Sequence, residues 1–461
     1  MFSGKLCTLL ASATLIYAAS SYAQTEIDHC QTRPVRSDAL DWPSRHAWNL
    51  FVWLNHPAID KKVRRGVPDC SKPVGSPGTT AVWETWRNAA SEVFLPNEPP
   101  EWNDNSLPDE KPGTVPKGKS SPVTSVAAFS ESPSQAASIS FHQLRGTSGS
   151  GILFSPDDGV FSNSGGFGET RLNKVTYDFV RDQCLYNRQG LERYAKAISG
   201  GKKPPILLPT DSIEVKAAWI DFSNPQGDGS VPPISAERRK SYYAADYNGK
   251  QYGLVALHFL TKDTPNWFWA SFHHMDTPKN QWQMPDTYGQ PKVLRGTVWE
   301  NYLLAGAQID FVTPEGKPTI LSDHFVEFGF QKSSCITCHA TATIATTYRK
   351  DASTAMPAGQ TRAVCLLGPN QPPFSTPASC KRFAGIHLFK VKTDIDGKPM
   401  LDSEGNLQYS DDLVEERGSP LNEWYMSNGK LTYFQTDFLY SIPFRAGKVD
   451  EVGSPPDRCV W

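Results

Sequence analysis

Residues 335–339 read Cys-Ile-Thr-Cys-His, and no other stretch restricts the chain so tightly. Two thiols at this spacing can each add across one vinyl group of a haem. The histidine that follows then falls where its imidazole can bind the iron. Each residue type is needed: two cysteines for two thioether bonds, a two-residue spacer so that both reach one ring edge, and a histidine as proximal ligand. The fold must bury one edge of such a group and leave another near enough to the surface for electron transfer. A zinc site would need a second ligand pair at close spacing, and the sequence has none. A thioredoxin-like motif follows a strand and opens a helix in a small βαβ domain, which this region does not resemble.

The start of the chain predicts the compartment that this chemistry requires. Lys5 supplies a positive charge, residues 6–19 are mostly apolar, and Ser21-Tyr22-Ala23 places small residues where a signal peptidase reads them. Residues 1–23 therefore read as an export signal, and the mature protein, starting near Gln24, is expected to be periplasmic or secreted. The apolar run is too short to span a bilayer, and no later one reaches about 18 residues, so no integral membrane segment is expected after cleavage. With Cys7 removed and Cys335 and Cys338 taken by haem, Cys30, Cys70, Cys184, Cys365, Cys380 and Cys459 remain. An even set in an oxidising compartment predicts disulfides. Cys30–Cys70 and Cys365–Cys380 are the pairs nearest in sequence, which leaves Cys184 with Cys459.

A chain of 461 residues is far longer than the roughly one hundred that a single haem domain needs. Its formal net charge of −2 argues against nucleic acid as a partner. The 37 prolines and 34 glycines predict many loops, and so a β-rich or mixed fold instead of a helical bundle. Apolar spacing predicts helices over 41–55, 80–94 and 166–198, the last stopped by Gly200-Gly201. Alternation predicts a half-buried strand over 212–222, and two more over 252–260 and 267–275. Another helical stretch, 323–330, leads into the motif. The expected class is α+β: N-terminal helices, a central antiparallel sheet and a cytochrome c-like helical haem segment. The expected organisation is an export signal (1–23), an N-terminal helical region (24–95), a Pro/Ser-rich loop or linker (96–138), a mixed region with the central sheet (139–300) and a haem-bearing region (301–461).

Several stretches besides the motif carry a family likeness: Trp83-Glu84-Thr85-Trp86, residues 213–219 (Ile-Glu-Val-Lys-Ala-Ala-Trp), residues 253–258 (Gly-Leu-Val-Ala-Leu-His), Trp267-Phe268-Trp269, and Ser333-Ser334 ahead of the first motif cysteine. In these the chain resembles a family of secreted bacterial monohaem c-type cytochromes with a large non-haem portion. The resemblance implies one covalent haem c held by Cys335 and Cys338 with His339 on the iron, and it brings no substrate with it.

The ligand opposite His339 decides the chemistry, because two protein ligands make an electron carrier and an open face admits peroxide or oxygen. Met400, Met356 and His274 are the distal candidates. His258, His273 and His274 fall in the two aromatic strands, and neighbouring strand residues point to opposite faces, so only one of His273 and His274 can look inward. Asp323 and His324 are adjacent and do not face each other on a helix. The aromatic cluster Trp267, Trp269 and Phe272 reads mainly as core, with a haem-pocket wall as the sharper alternative. The expected function is single-electron carriage between a redox partner protein, or a small-molecule donor or acceptor, and the haem. The alternative is a haem peroxidase or oxygenase with an open distal site.

Overall fold

The apolar spacing turns from helical to strand-like after Gly200-Gly201, and the strands beyond that point supply most of the sheet. The computed structural model describes residues 30, 32–106, 166–225, 233–247, 250–277, 284–317, 319–321, 323, 334–340, 342–346, 389–391, 394–395, 409–413, 425–427, 430–431, 433–446 and 455–461. The expected export signal, most of the Pro/Ser-rich stretch, the 324–330 stretch, Met356, Met400 and the expected Cys365–Cys380 pair lie outside the described residues. Among the described residues, no helix is long and apolar enough to cross a membrane.

Helices α1 (Asp38–Asp41), α2 (Pro43–Leu54) and α3 (Lys61–Arg64) come first. Pro43 opens α2 at a position where a missing N–H costs no helical bond, and Trp48, Leu50, Phe51, Val52 and Leu54 are buried along it. Strands β1 (Arg87–Asn88), β2 (Gly166–Leu172), β3 (Ile213–Asp221), β4 (Ala244–Tyr247), β5 (Lys250–Thr261), β6 (Phe268–His274) and β7 (Tyr302–Gln308) form one seven-stranded sheet. Its order is β1-β2-β3-β5-β6-β7, with β4 added alongside β5. Every pairing is antiparallel. The molecule is thus a mixed α+β protein built on an antiparallel sheet with few, short helices.

Two stretches depart from their apolar spacing. Residues 80–94 do not make the expected helix. They form a 3-10 turn (Trp83–Thr85), strand β1 and a π turn (Ala89–Val93). Pairing with the sheet edge wins, as Arg87 and Asn88 lie opposite Leu172 and Arg171. The buried Arg87 guanidinium donates to Glu92 and to the carbonyls of Glu101, Trp102 and Asp104. The stretch 166–198 is not helical throughout, for it begins as β2. Asn173 then caps α4 (Lys174–Asp182) by accepting from Thr176 N, and Asn187 caps α5 (Arg188–Ser199) by accepting from Gly190 N. Gly200 ends α5, where the spacing places the stop.

A short helix α6 (Ala236–Arg239) precedes β4, and helix α7 (Cys335–His339) carries the motif. Beyond it come β8 (Thr343–Ala345), the antiparallel pair β9 (Phe389–Val391) and β10 (Tyr409–Leu413), the pair β11 (Met426–Ser427) and β12 (Lys430–Leu431), then β13 (Tyr433–Gln435), which pairs β8, and helix α8 (Ser441–Arg445). Disulfides join Cys30 to Cys70 and Cys184 to Cys459, across sequence separations of 40 and 275 residues. The longer bridge ties the last residues of the chain to the turn between α4 and α5.

The main core lies between the sheet and α2. Phe51 stacks on Phe272 with ring centres 4.3 Å apart, and Trp48 meets Phe272 edge-on at 4.9 Å. Val215, Ala217, Leu257, Phe259 and Ala270 fill the same face. Strand β3 is not half-buried as its alternation suggests. Of its nine residues only Lys216 keeps partial exposure, because the second face is also covered. What covers that face is the motif and the end of the chain.

Candidate functional site

Directly opposed residues of an antiparallel sheet project to the same side. On the side away from α2, the register therefore lines up Thr170, Lys216, His258, Ser271 and Gly306 as one row across β2, β3, β5, β6 and β7. The next row is Leu172, Glu214, Leu260, Trp269 and Gln308. On the other side of the first row, Ala218, Ala256 and His273 are aligned. A polar floor results inside the protein: Glu214, Ser271, His258, His273 and Gln308 are all buried.

Helix α7 sits on β6 and β7. Gln308 fixes it from below, donating through Nε2 to Ser334 Oγ at 2.8 Å and accepting Ile336 N at 3.2 Å. Ser334 Oγ also accepts from Thr337 N at 3.3 Å, as an N-cap does. Ile336 and Ala340 are buried, so the turn is anchored by apolar packing as well. The Cys335 thiol donates to the Leu321 carbonyl at 3.1 Å. Leu321 can approach because Gly306 has no side chain. A Cβ there would lie 3.0 Å from Leu321 Cδ1 and 2.6 Å from Met284 Cβ.

His339 is held through one ring nitrogen. Its Nδ1 lies 2.8 Å from the carbonyl of Phe438, and a carbonyl can only accept, so Nδ1 carries the proton and Nε2 keeps its lone pair. Trp269 and Tyr440 meet the imidazole edge-on, at 4.7 and 5.4 Å between ring centres. Burial, with the Lys216 cation nearby, pushes the His339 pKa down to about 3, so the ring is neutral at neutral pH.

The Phe438 carbonyl is itself aimed by a strained turn. Asp437 and Phe438 have φ of 48° and 69°, left-handed values that cost non-glycine residues energy. The Asp437 carboxylate holds the turn by accepting Leu208 N at 2.8 Å and Lys262 Nζ at 2.6 Å. Burial raises the Asp437 carboxyl pKa against the pull of Lys262.

At the other end of the floor, α8 covers β2 and β3. Ser441 Oγ donates to Glu214 Oε2 at 2.5 Å, and Arg445 donates to Thr170 Oγ1 at 3.0 Å. Burial raises the Glu214 carboxyl, with Ser441, Lys216 and Arg445 opposing. His258, between the two covering segments, has Nε2 3.1 Å from Ser271 Oγ. Burial pushes its pKa well down, and Lys216, His273 and His339 add to the effect.

The structure brings Cys335 and His339 onto this floor, and Cys338 belongs to the same helical turn. It does not bring His274 there. That residue projects to the opposite face of β6, where Nδ1 accepts from Asp276 N at 3.2 Å and Nε2 meets the Ser241 carbonyl at 3.1 Å. Tyr242 stacks on its ring at 3.7 Å, so the distal candidate His274 is a satisfied structural histidine. Of the adjacent pair, His273 is the one facing the motif, with Nδ1 4.0 Å from Asp323 Oδ2. Trp269 is buried in the core, as expected, and also stands edge-on to His339. Sequence reasoning missed the roles of Lys216, Gln308, Asp437 and Phe438. The polar positions 214 and 216 in an otherwise apolar strand were the available signal; nothing in sequence marks a carbonyl 99 residues after the histidine.

No protein-family model, curated protein or solved structure matches this chain.

Proposed function

We propose that this protein is an exported monohaem c-type cytochrome that carries single electrons. The haem would be bound covalently through Cys335 and Cys338, with His339 on the iron. The observation that carries this reading is the 2.8 Å contact between His339 Nδ1 and the Phe438 carbonyl. It fixes the tautomer in which Nε2 is the metal-binding nitrogen, the arrangement that orients histidine ligands generally. The other features fit the same group. Cys335 and Cys338 lie one turn apart on a helix that Gln308 ties to the sheet at its start and the Phe438 carbonyl holds at its end. When bound, the haem supplies the one-electron couple. The chain positions it, excludes water with Trp269 and Phe438, and keeps His339 neutral.

The second reading, a peroxidase or oxygenase with an open iron face, draws on the buried His258, His273 and Asp323, with the partly exposed Lys216 beside them, more polar groups than electron carriage needs. One set of measurements tests both. The exported full chain is expected to keep its haem through denaturing electrophoresis and organic extraction, with a mass increase of one haem. It should show a reversible one-electron titration and a reduced spectrum unmoved by carbon monoxide. Haem lost on extraction would overturn the c-type reading. A carbon monoxide shift with peroxide turnover would establish the second.

A further inference from the structure

The geometry points to His258 as the second axial ligand, on the opposite side of the haem from His339. This rests on the c-type reading and adds the residue that completes the iron's coordination. The covering segments fix where the group must lie. Helix α7 stands over β6 and β7, through Trp269 and Gln308. Helix α8 stands over β2 and β3, through Thr170 and Glu214. The strand between these two pairs is β5. A ring anchored at α7 and extending under the rest of the cover therefore crosses β5.

Along the β5 face turned to the motif, the register places Ala256, His258 and Leu260, and of these only His258 can donate to a metal. It occupies the centre of its row, with Thr170 and Lys216 on one side and Ser271 and Gly306 on the other. Ser271 Oγ, 3.1 Å from Nε2, sets the ring plane, and a neutral hydroxyl can yield that nitrogen to a metal. His273 is the competing histidine. It lies one row further from Trp269, the residue that meets His339, and faces the Asp323 carboxylate. His274 projects away.

The test uses the exported full-length holoprotein and its His258→Ala, His258→Met and His273→Ala variants, read by absorption and paramagnetic resonance with haem content measured in each. Wild type and H273A are expected to be low-spin and insensitive to carbon monoxide. H258A should retain its covalent haem, become high-spin, bind carbon monoxide and return to low-spin on adding imidazole. H258M should show the long-wavelength sulfur-to-iron charge-transfer band. A folded H258A that stays low-spin, or an H273A that turns high-spin while H258A does not, overturns the assignment and leaves the c-type reading intact. A wild-type protein with no covalent haem overturns that reading instead. If H258A fails to fold, H258M decides the matter: a spectrum unchanged from wild type overturns the assignment.

Discussion

The two faces of the seven-stranded sheet come from the same strands, yet they are held in opposite ways. Against α2, Phe51, Trp48, Phe272 and Phe259 pack ring on ring. That contact is stabilised by apolar area and asks only for complementary shape. Against α7 and α8, the sheet presents Glu214, Lys216, His258, Ser271, His273 and Gln308, and the cover meets it with hydrogen bonds. Burying such groups costs free energy that their partners must return. One face therefore accounts for stability. The other is maintained at a cost in stability, which is the pattern of a functional surface.

Breaking the apolar face should give the largest effect. Phe51→Ala removes a stacked ring at the centre of the α2 contact and should cost about 3–5 kcal/mol in chemical denaturation. Under the proposed c-type reading, the folded fraction should keep the spectrum of the bound haem, since no residue of the floor is touched. A spectral change in that variant would show that the faces are coupled.

Acid should act next. The buried His274 has its pKa pushed from 6.5 to about 4, chiefly by burial, with Arg238 and His273 assisting and the Ser241 carbonyl opposing. The folded protein keeps this ring neutral while the unfolded chain takes a proton near pH 6.5. Its contribution is thus complete above that pH and lost as pH falls toward 4, by about 3 kcal/mol. Unfolding free energies of wild type and His274→Gln from pH 7 down to 4 should converge as the pH falls, the variant showing the flatter profile. Parallel curves would assign the acid sensitivity to other groups.

A smaller loss is expected on the polar face. Ser441→Ala removes the hydroxyl donated to the buried Glu214 carboxylate and should cost about 1–3 kcal/mol. Combining it with Glu214→Leu should recover most of that cost, because neither partner is then left without the other. A purely apolar contact would show no such recovery. As the reference for both faces, Lys196→Ala breaks an exposed pair with Glu192 on α5 and should change stability by less than about 0.5 kcal/mol.

Where local chemistry decides the structure, the sequence was readable. Helix α2, strands β3, β5 and β6, the stop at Gly200 and the pairs Cys30–Cys70 and Cys184–Cys459 follow from period, turn residues and cysteine count. Residues 80–94 misled because their helical spacing yields to the needs of a buried arginine and a sheet edge. The floor was half visible. Alternation shows that His273 and His274 part company, but which of them faces the motif depends on the register with β5 and on where α7 docks. The half-buried alternation over 212–222 leaves the face of Lys216 to solvent, and the segment that covers it arrives from far along the chain. The Phe438 carbonyl left no trace at all, since a backbone oxygen is common to every residue.

That distant carbonyl also puts the site in time. His339 and the oxygen that orients it are separated by 99 residues. At about 5–20 residues per second, the ribosome needs roughly 5–20 s to make the intervening chain. For that interval the histidine exists without its Phe438 partner, and the strands beneath it are already made. The native seat of His339 therefore closes only after the sheet beneath it has been made, with the α8 contacts and the Cys184–Cys459 bridge still to follow.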